Sequence, residues 1–112
     1  DRGHTLKAAR SEQRVAELKM DEAKELIGLQ VQQAIFQLNE SIKKVEMAQV
    51  NLKQAEENLK VARDAFESGR QKTSDVLEAQ AMWQNAFSDL IDARMEYRLN
   101  VVNLKRVTGS LK

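Results

Sequence analysis

The sequence has no Cys and no Pro, and only four Gly among 112 residues. Without Cys there is no disulfide framework and no thiol chemistry. That absence suits an oxidising compartment and a cytosolic coiled coil alike, so it decides nothing about location. Without Pro and with so few Gly, the chain lacks the punctuation that a many-turned globule needs. Aromatic residues are scarce too, at 4%, where a compact core would carry more of them. No apolar run approaches the ~20 residues of a membrane-spanning helix, and no secretory leader is present. The chain opens at Asp1 with no initiator Met, which reads as a piece of a longer protein. Nor is there an excess of one charge. Eighteen basic residues against 17 acidic leave a net charge of +1, which removes bulk attraction to nucleic acid or an anionic membrane as a basis for function.

What is present is the composition of long helices. Ala, Leu, Glu, Gln, Lys and Arg dominate, and charged residues make up 31%. The length allows one domain at most. The expected fold is all-α, with its core a seam along helices.

One break divides the pattern, at Glu67-Ser68-Gly69-Arg70-Gln71-Lys72-Thr73-Ser74-Asp75. It predicts a helix over about 5–67, a turn over about 68–73 and a second helix over about 74–108. Gly69 suits the position just past a helix end, where φ turns positive. Thr73 or Ser74 can cap the next helix, with Asp75 in its first turn complementing the dipole. Thr108-Gly109-Ser110 is expected to close that helix, and Arg2-Gly3-His4-Thr5 reads as a lead-in to the first. Gly28 lies inside the first helix. At ~1.5 Å per residue the two helices differ greatly in length. The first helix before about Val31 therefore has no partner within the chain.

The period is seven, split three and four, which implies left-handed supercoiling. In the first helix Val31, Leu38, Val45, Leu52, Leu59 and Phe66 recur, with Ala34, Ser41, Ala48, Ala55 and Ala62 three residues later. In the second, Val76, Trp83, Leu90, Tyr97, Leu104 and Leu111 recur, with Ala79, Ala86, Ala93, Asn100 and Val107 three later. The expected helix–helix seam includes Leu52, Leu59, Phe66, Val76, Trp83, Leu90 and Tyr97. Folding at the turn permits two registers. One stacks large on large, as Leu59 with Trp83 and Leu52 with Leu90; it puts the apex closest to Gly69–Lys72 and is preferred. The other is shifted by about three residues and interleaves large with small. A second apolar stripe holds Ile35, Ile42, Val50 and Val61 on the first helix, and Leu77, Phe87, Ile91, Met95 and Val102 on the second. Two stripes exceed what one hairpin can bury, so each helix is expected to have neighbours on both sides, as in a closed tube. Scattered exposed apolar residues are the plainer alternative.

Asp75 and Glu78 sit three apart on one face, and Asp89, Asp92 and Glu96 follow two heptads on. Such carboxylates can line a wall of an assembly; a solvated helix face has the same spacing. For acid–base catalysis they lack a neighbouring His and an apolar enclosure, so no catalytic residue is expected. His4 is the only His and has no companion at metal-ligand spacing. There is no Gly-rich phosphate loop, and no metal or cofactor is expected. Arg70-Gln71-Lys72 faces the acidic pair across the turn, as a solvated loop or as a charged rim suited to meeting a partner.

The stretch from Phe66 through Ser68, Gly69, Thr73, Ser74, Asp75, Val76, Leu77, Glu78 and Ala79 to Gln80 resembles the TolC family of outer-membrane efflux proteins. Ala86, Leu90, Ala93, Tyr97, Leu104 and Gly109 continue the likeness, as do Gln33-Ala34-Ile35-Phe36 and Ala55-Glu56-Glu57-Asn58-Leu59 upstream. The resemblance implies a homotrimeric channel with a β-barrel in the outer membrane and a helical tunnel across the periplasm, where one long helix packs against shorter ones. It implies export of small molecules or proteins together with a periplasmic adaptor and an inner-membrane pump. It assigns Gly69, Arg70, Gln71, Lys72, Thr73 and Ser74 to the tip turn and adaptor docking, and Asp75 and Glu78 to the acidic ring at the periplasmic entrance. Some members carry a basic residue where Gln71 stands, so the tie that closes the tip is not carried over. The alternative is the α-hairpin of a periplasmic adaptor, or a structural coiled-coil interaction module.

Overall fold

The computed structural model describes residues 1–109 as two helices in an antiparallel hairpin. Helix α1 runs Arg2–Glu67 over 66 residues and α2 runs Thr73–Gly109 over 37. They pack only on one another, in a rod of 100 × 20 × 14 Å. Among the described residues no helix is long and apolar enough to cross a membrane.

Helix α1 starts earlier than its sequence suggests. The expected lead-in, Arg2-Gly3-His4-Thr5, is already helical. The Asp1 carboxylate accepts from the Gly3 N–H at 3.4 Å, and the Thr5 N–H donates to the Asp1 carbonyl at 3.1 Å. A capping acid satisfies an otherwise orphaned donor and complements the positive end of the helix dipole, which outweighs the entropic cost of Gly3.

At the other end of α1 the chain closes in a Schellman motif. The Arg70 N–H donates to the Ala65 carbonyl at 2.8 Å, and the Gly69 N–H to the Phe66 carbonyl at 3.0 Å. Gly69 has φ +76°, the one positive-φ position among the described residues. The Ser68 hydroxyl donates to the Asp64 carbonyl at 2.7 Å, so the Asp64, Ala65 and Phe66 carbonyls are all engaged by the turn itself. A Cβ on residue 69 would meet nothing within 4 Å, so a substitution there is felt by the backbone alone. Gly69→Ala is expected to destabilise the hairpin by about 1–2 kcal/mol, the cost of a left-handed conformation for an L-residue. Gly69→Asn should cost less, because its side chain tolerates that region. Thermal unfolding followed by circular dichroism checks both; an Ala variant as stable as the parent chain would mean that the turn re-forms in another geometry.

The start of α2 corrects the expected cap. The side-chain oxygen that meets the exposed donor is not the Thr73 or Ser74 hydroxyl. It is the Asp75 carboxylate, reaching back to the Lys72 N–H at 3.1 Å. This is one half of a capping box, with Lys72 at the cap position and Thr73 the first helical residue. The turn therefore ends at residue 72, one earlier than the spacing predicts. Helix α2 continues through Gly109, whose φ is not positive, and the Thr108 hydroxyl donates to the Leu104 carbonyl at 2.7 Å. Ser110 and Leu111, placed by sequence at the helix close and on the heptad line, lie outside the described residues.

The core follows the seven-residue repeat, with the small line of α1 at its centre. The small line of α1 is the buried one: Ala34, Ser41, Ala48, Ala55 and Ala62. Of the large line only Leu59 is buried, while Val31, Leu38, Val45 and Leu52 are half-buried. Small side chains let two helices approach at the short end of the ~8–10 Å range, and close approach pushes the large side chains to the flanks. Across the seam, α2 buries Leu90, Ala93 and Val107. Ser41 is the buried polar residue, and its hydroxyl is satisfied within its own helix by the Leu38 carbonyl at 2.7 Å.

The packing blends the two registers. Leu90 shares a cluster with Ala48 and Ala93, while Val45 and Leu52 pack against that cluster. Leu52 is its partner in the large-on-large register, yet the residue beside it in the core is Ala48. The physical reason is knobs-into-holes packing, in which a side chain enters the space between several residues of the facing helix and does not stack on one. Before Ile27 every residue of α1 is exposed, so the unpaired arm expected from the unequal helix lengths is present.

Candidate functional site: the hairpin tip and its flanks

The tip gathers Gly69, Arg70, Gln71, Lys72, Thr73 and Ser74 at one end of a rigid rod, and all of them are exposed. Their backbone is fixed from both sides, by the Schellman bonds of α1 and by the Asp75 cap of α2. The Arg70 Nε donates to the Ser68 Oγ at 3.2 Å, so the guanidinium is tethered to the turn. Of the acidic pair only Asp75 touches the basic triplet, and it does so at the Lys72 backbone N–H. Asp75 is half-buried by that capping role, whereas Glu78, one turn further, is exposed. The site is therefore a charged, preformed surface with no enclosed cavity.

The seam residues divide by exposure. Leu59 and Leu90 are buried, Leu52, Val76 and Trp83 are half-buried, and Phe66 and Tyr97 are exposed. Trp83 does not sit inside a core. Its ring stacks on Phe87, with centroids 5.5 Å apart and planes 18° from parallel, and the pair forms an aromatic ledge on α2. Beside it an open groove is lined by Glu56, Lys60, Arg63, Gln80 and Trp83. The i, i+4 spacing of Trp83 and Phe87 is the signal by which sequence could have found the ledge. The second apolar stripe lies on the surface: Ile35, Ile42, Val50, Val61, Leu77, Phe87, Ile91, Met95 and Val102 are all exposed. Exposed apolar side chains thus recur along the length of both packed helices.

One contact escaped the sequence altogether. Lys44 of α1 pairs with Glu96 of α2 at 3.2 Å, in a hollow that Asp89, Asp92 and Asn51 also line. Both side chains are about half exposed or more, so the pair contributes at most about 1 kcal/mol. It holds the Glu96 carboxylate toward that hollow without fixing the fold. Among the described residues no group of three His, Cys, Asp or Glu side chains converges to hold a metal ion.

A family model described as outer membrane efflux protein matches residues 1–110. No curated protein and no solved structure matches the chain.

Proposed function

Since the chain belongs to the outer membrane efflux protein family, we propose that it forms part of the periplasmic tunnel of a trimeric channel that exports small molecules or proteins. The observation that carries this reading is the family match over residues 1–110, on a hairpin whose second apolar stripe is exposed along both helices. A tube of helices gives each stripe a neighbour; a free hairpin gives it none. The parent channel is placed in the outer membrane, with this part facing the periplasm. The match also favours the channel over the adaptor hairpin and the general coiled-coil module.

In this reading the rigid tip docks a periplasmic adaptor, which links the channel to an inner-membrane pump. Gly69 sets the turn, and Arg70, Gln71, Lys72, Thr73 and Ser74 present its polar surface. Asp75 and Glu78 lie just behind the tip on one helix face and form, with their copies, the acidic constriction. Carboxylates crowded at a narrow mouth favour cations and repel anions through their local field.

The test is single-channel conductance of the assembled channel in a planar bilayer, beside an Asp75→Asn/Glu78→Gln double variant. Asn at 75 keeps an oxygen for the Lys72 N–H, so the cap is preserved while the charge is removed. Cation-over-anion selectivity is expected to fall severalfold. Unchanged selectivity in a conducting channel would move the constriction elsewhere. No conductance from well-folded protein, under conditions that open the tip, would favour the adaptor reading.

A further inference from the structure

The arm of α1 from Arg2 to Leu26 has every residue exposed, yet it carries a seam of its own. Carried back into the arm in steps of seven, the large line of the α1–α2 seam falls on Lys24, Glu17 and Arg10. The small line falls on Ile27, Met20, Gln13 and Leu6. Three residues beyond this second line stand Ala9, Ala16 and Ala23. The arm thus repeats the alternation of large and small that the paired helices use, but turned around the helix from the side that meets α2. Leu6 and Met20 are exposed on it, and at Ile27 α1 becomes half-buried.

In a two-stranded coil the charges that flank the seam set partner and direction. One flank of the arm's seam holds Arg10, Glu17 and Lys24, and the other holds Glu12, Lys19 and Leu26. Among the described residues, Arg10, Glu12, Glu17 and Lys19 make no ion pair within the chain. Two arms laid antiparallel with Arg2 facing Ile27 bring Arg10 to Glu17 and Glu12 to Lys19. Twofold symmetry makes each of these pairs twice. The same register sets Leu6 over Ala23, Met20 over Ala9 and Gln13 over Ala16, each larger side chain over an alanine. A slide of one heptad in either direction brings Arg10 to Arg10 or Glu17 to Glu17. Parallel arms would bring Glu12 to Glu17 and Lys19 to Lys24. Of these arrangements, opposite charges meet in one.

We propose that the arm of α1 is a dimerisation surface whose partner is the same arm of a second copy of this chain, antiparallel and in that register. The inference does not depend on the channel reading. Copies around a threefold axis run parallel, the direction these charges oppose, so the dimer belongs to chains outside a trimer. Covering the apolar line is what favours association. Exposed ion pairs are individually weak; their part is to select direction and register. The paired segment ends at Ile27, where α2 takes over the covering of α1.

The experiment uses this chain, which has no Cys of its own. Ala9→Cys and Met20→Cys variants are mixed in equal amounts and oxidised. Links of 9 to 20 are expected to exceed links of like with like severalfold. An excess of 9–9 and 20–20 links means parallel arms and overturns the proposal. Sedimentation equilibrium then compares three further variants with the parent chain. Arg10→Glu and Glu17→Arg each put like charges together at two symmetric sites, and each should weaken the dimer about tenfold. The double variant Arg10→Glu/Glu17→Arg restores opposite charges and should recover the parent affinity to within a few-fold. All four substituted residues are exposed, and circular dichroism checks that each variant keeps its helices. A chain still monomeric at millimolar concentration, a dimer that neither single reversal weakens, or a double variant that recovers nothing overturns the proposal. Each of these outcomes leaves the channel reading where it stands.

Discussion

Replacing Leu90 by Ala is expected to cost the hairpin about 2–4 kcal/mol, within the range for deleting a buried Leu side chain. Leu90 is 4% exposed, and it is the large side chain of the central cluster with Ala48 and Ala93. Its neighbours in that cluster are alanines, whose single methyl groups cannot move to fill the space. Val45 and Leu52 flank it and could close part of the gap only by drawing the helices together. The chain has few buried large residues to share the loss, and whole domains are stable by only about 5–15 kcal/mol. The unfolding midpoint should therefore drop by about 8–30 °C, at about 4–8 °C per kcal/mol for a domain of this size. Leu99→Ala is the control, since Leu99 is 66% exposed and a surface truncation stays within about 0.5 kcal/mol. Equal shifts from the two variants would show that the seam described here is not the one that holds the helices together.

A second large effect is expected in hydrogen exchange. Amides of α1 from Arg2 to Leu26 belong to a helix that buries nothing, because every one of those residues is exposed. Such a segment opens by helix–coil fraying at little cost, since helical stability in proteins comes mostly from packing. Amides between Ala34 and Ala62, and between Leu90 and Val107, sit on the packed seam and exchange only when the helices part. The protection factors of the two regions should differ by at least about a thousandfold, the lower end of what global opening gives. Measured by mass spectrometry on the monomeric chain, protection should rise along α1 near Ile27, where burial begins. An arm as protected as the seam at low concentration would mean that it has a partner within the chain. Protection that grows with concentration would identify a second copy as the cover.

Much of this was legible because it is local. The break at Gly69 is a matter of backbone conformation: one positive φ, supplied by the residue that tolerates it, ends a helix regardless of what lies beyond. The repeat of seven is equally local, and it places Ala48 with Ala55 and Ala62 on one line whatever the partner is. The likeness around Asp75, Val76, Leu77, Glu78 and Ala79 was carried by short-range spacing of the same kind. What failed locally failed at competing donors and acceptors. Thr73, Ser74 and Asp75 can all cap α2, and only the folded turn shows that the Asp75 carboxylate reaches the Lys72 N–H. Arg2-Gly3-His4-Thr5 looks like a lead-in until Asp1 is seen capping it.

By itself, then, the sequence determined two helices of unequal length, a turn at Gly69, a seam of period seven and an unpaired arm. Each of these depends on a residue and its near neighbours along one chain. The tertiary structure decided how the two lines of that seam share the core. Ala34, Ser41, Ala48, Ala55 and Ala62 go to the centre and Leu52, Trp83 and Tyr97 to the flanks, because the distance between two helices is set by the smallest side chains that meet. It also decided the register, the Lys44–Glu96 pair and the hollow toward which the Glu96 carboxylate turns. Those depend on how far one helix is slid and rotated against the other, and a periodic pattern repeats itself at every step of such a slide.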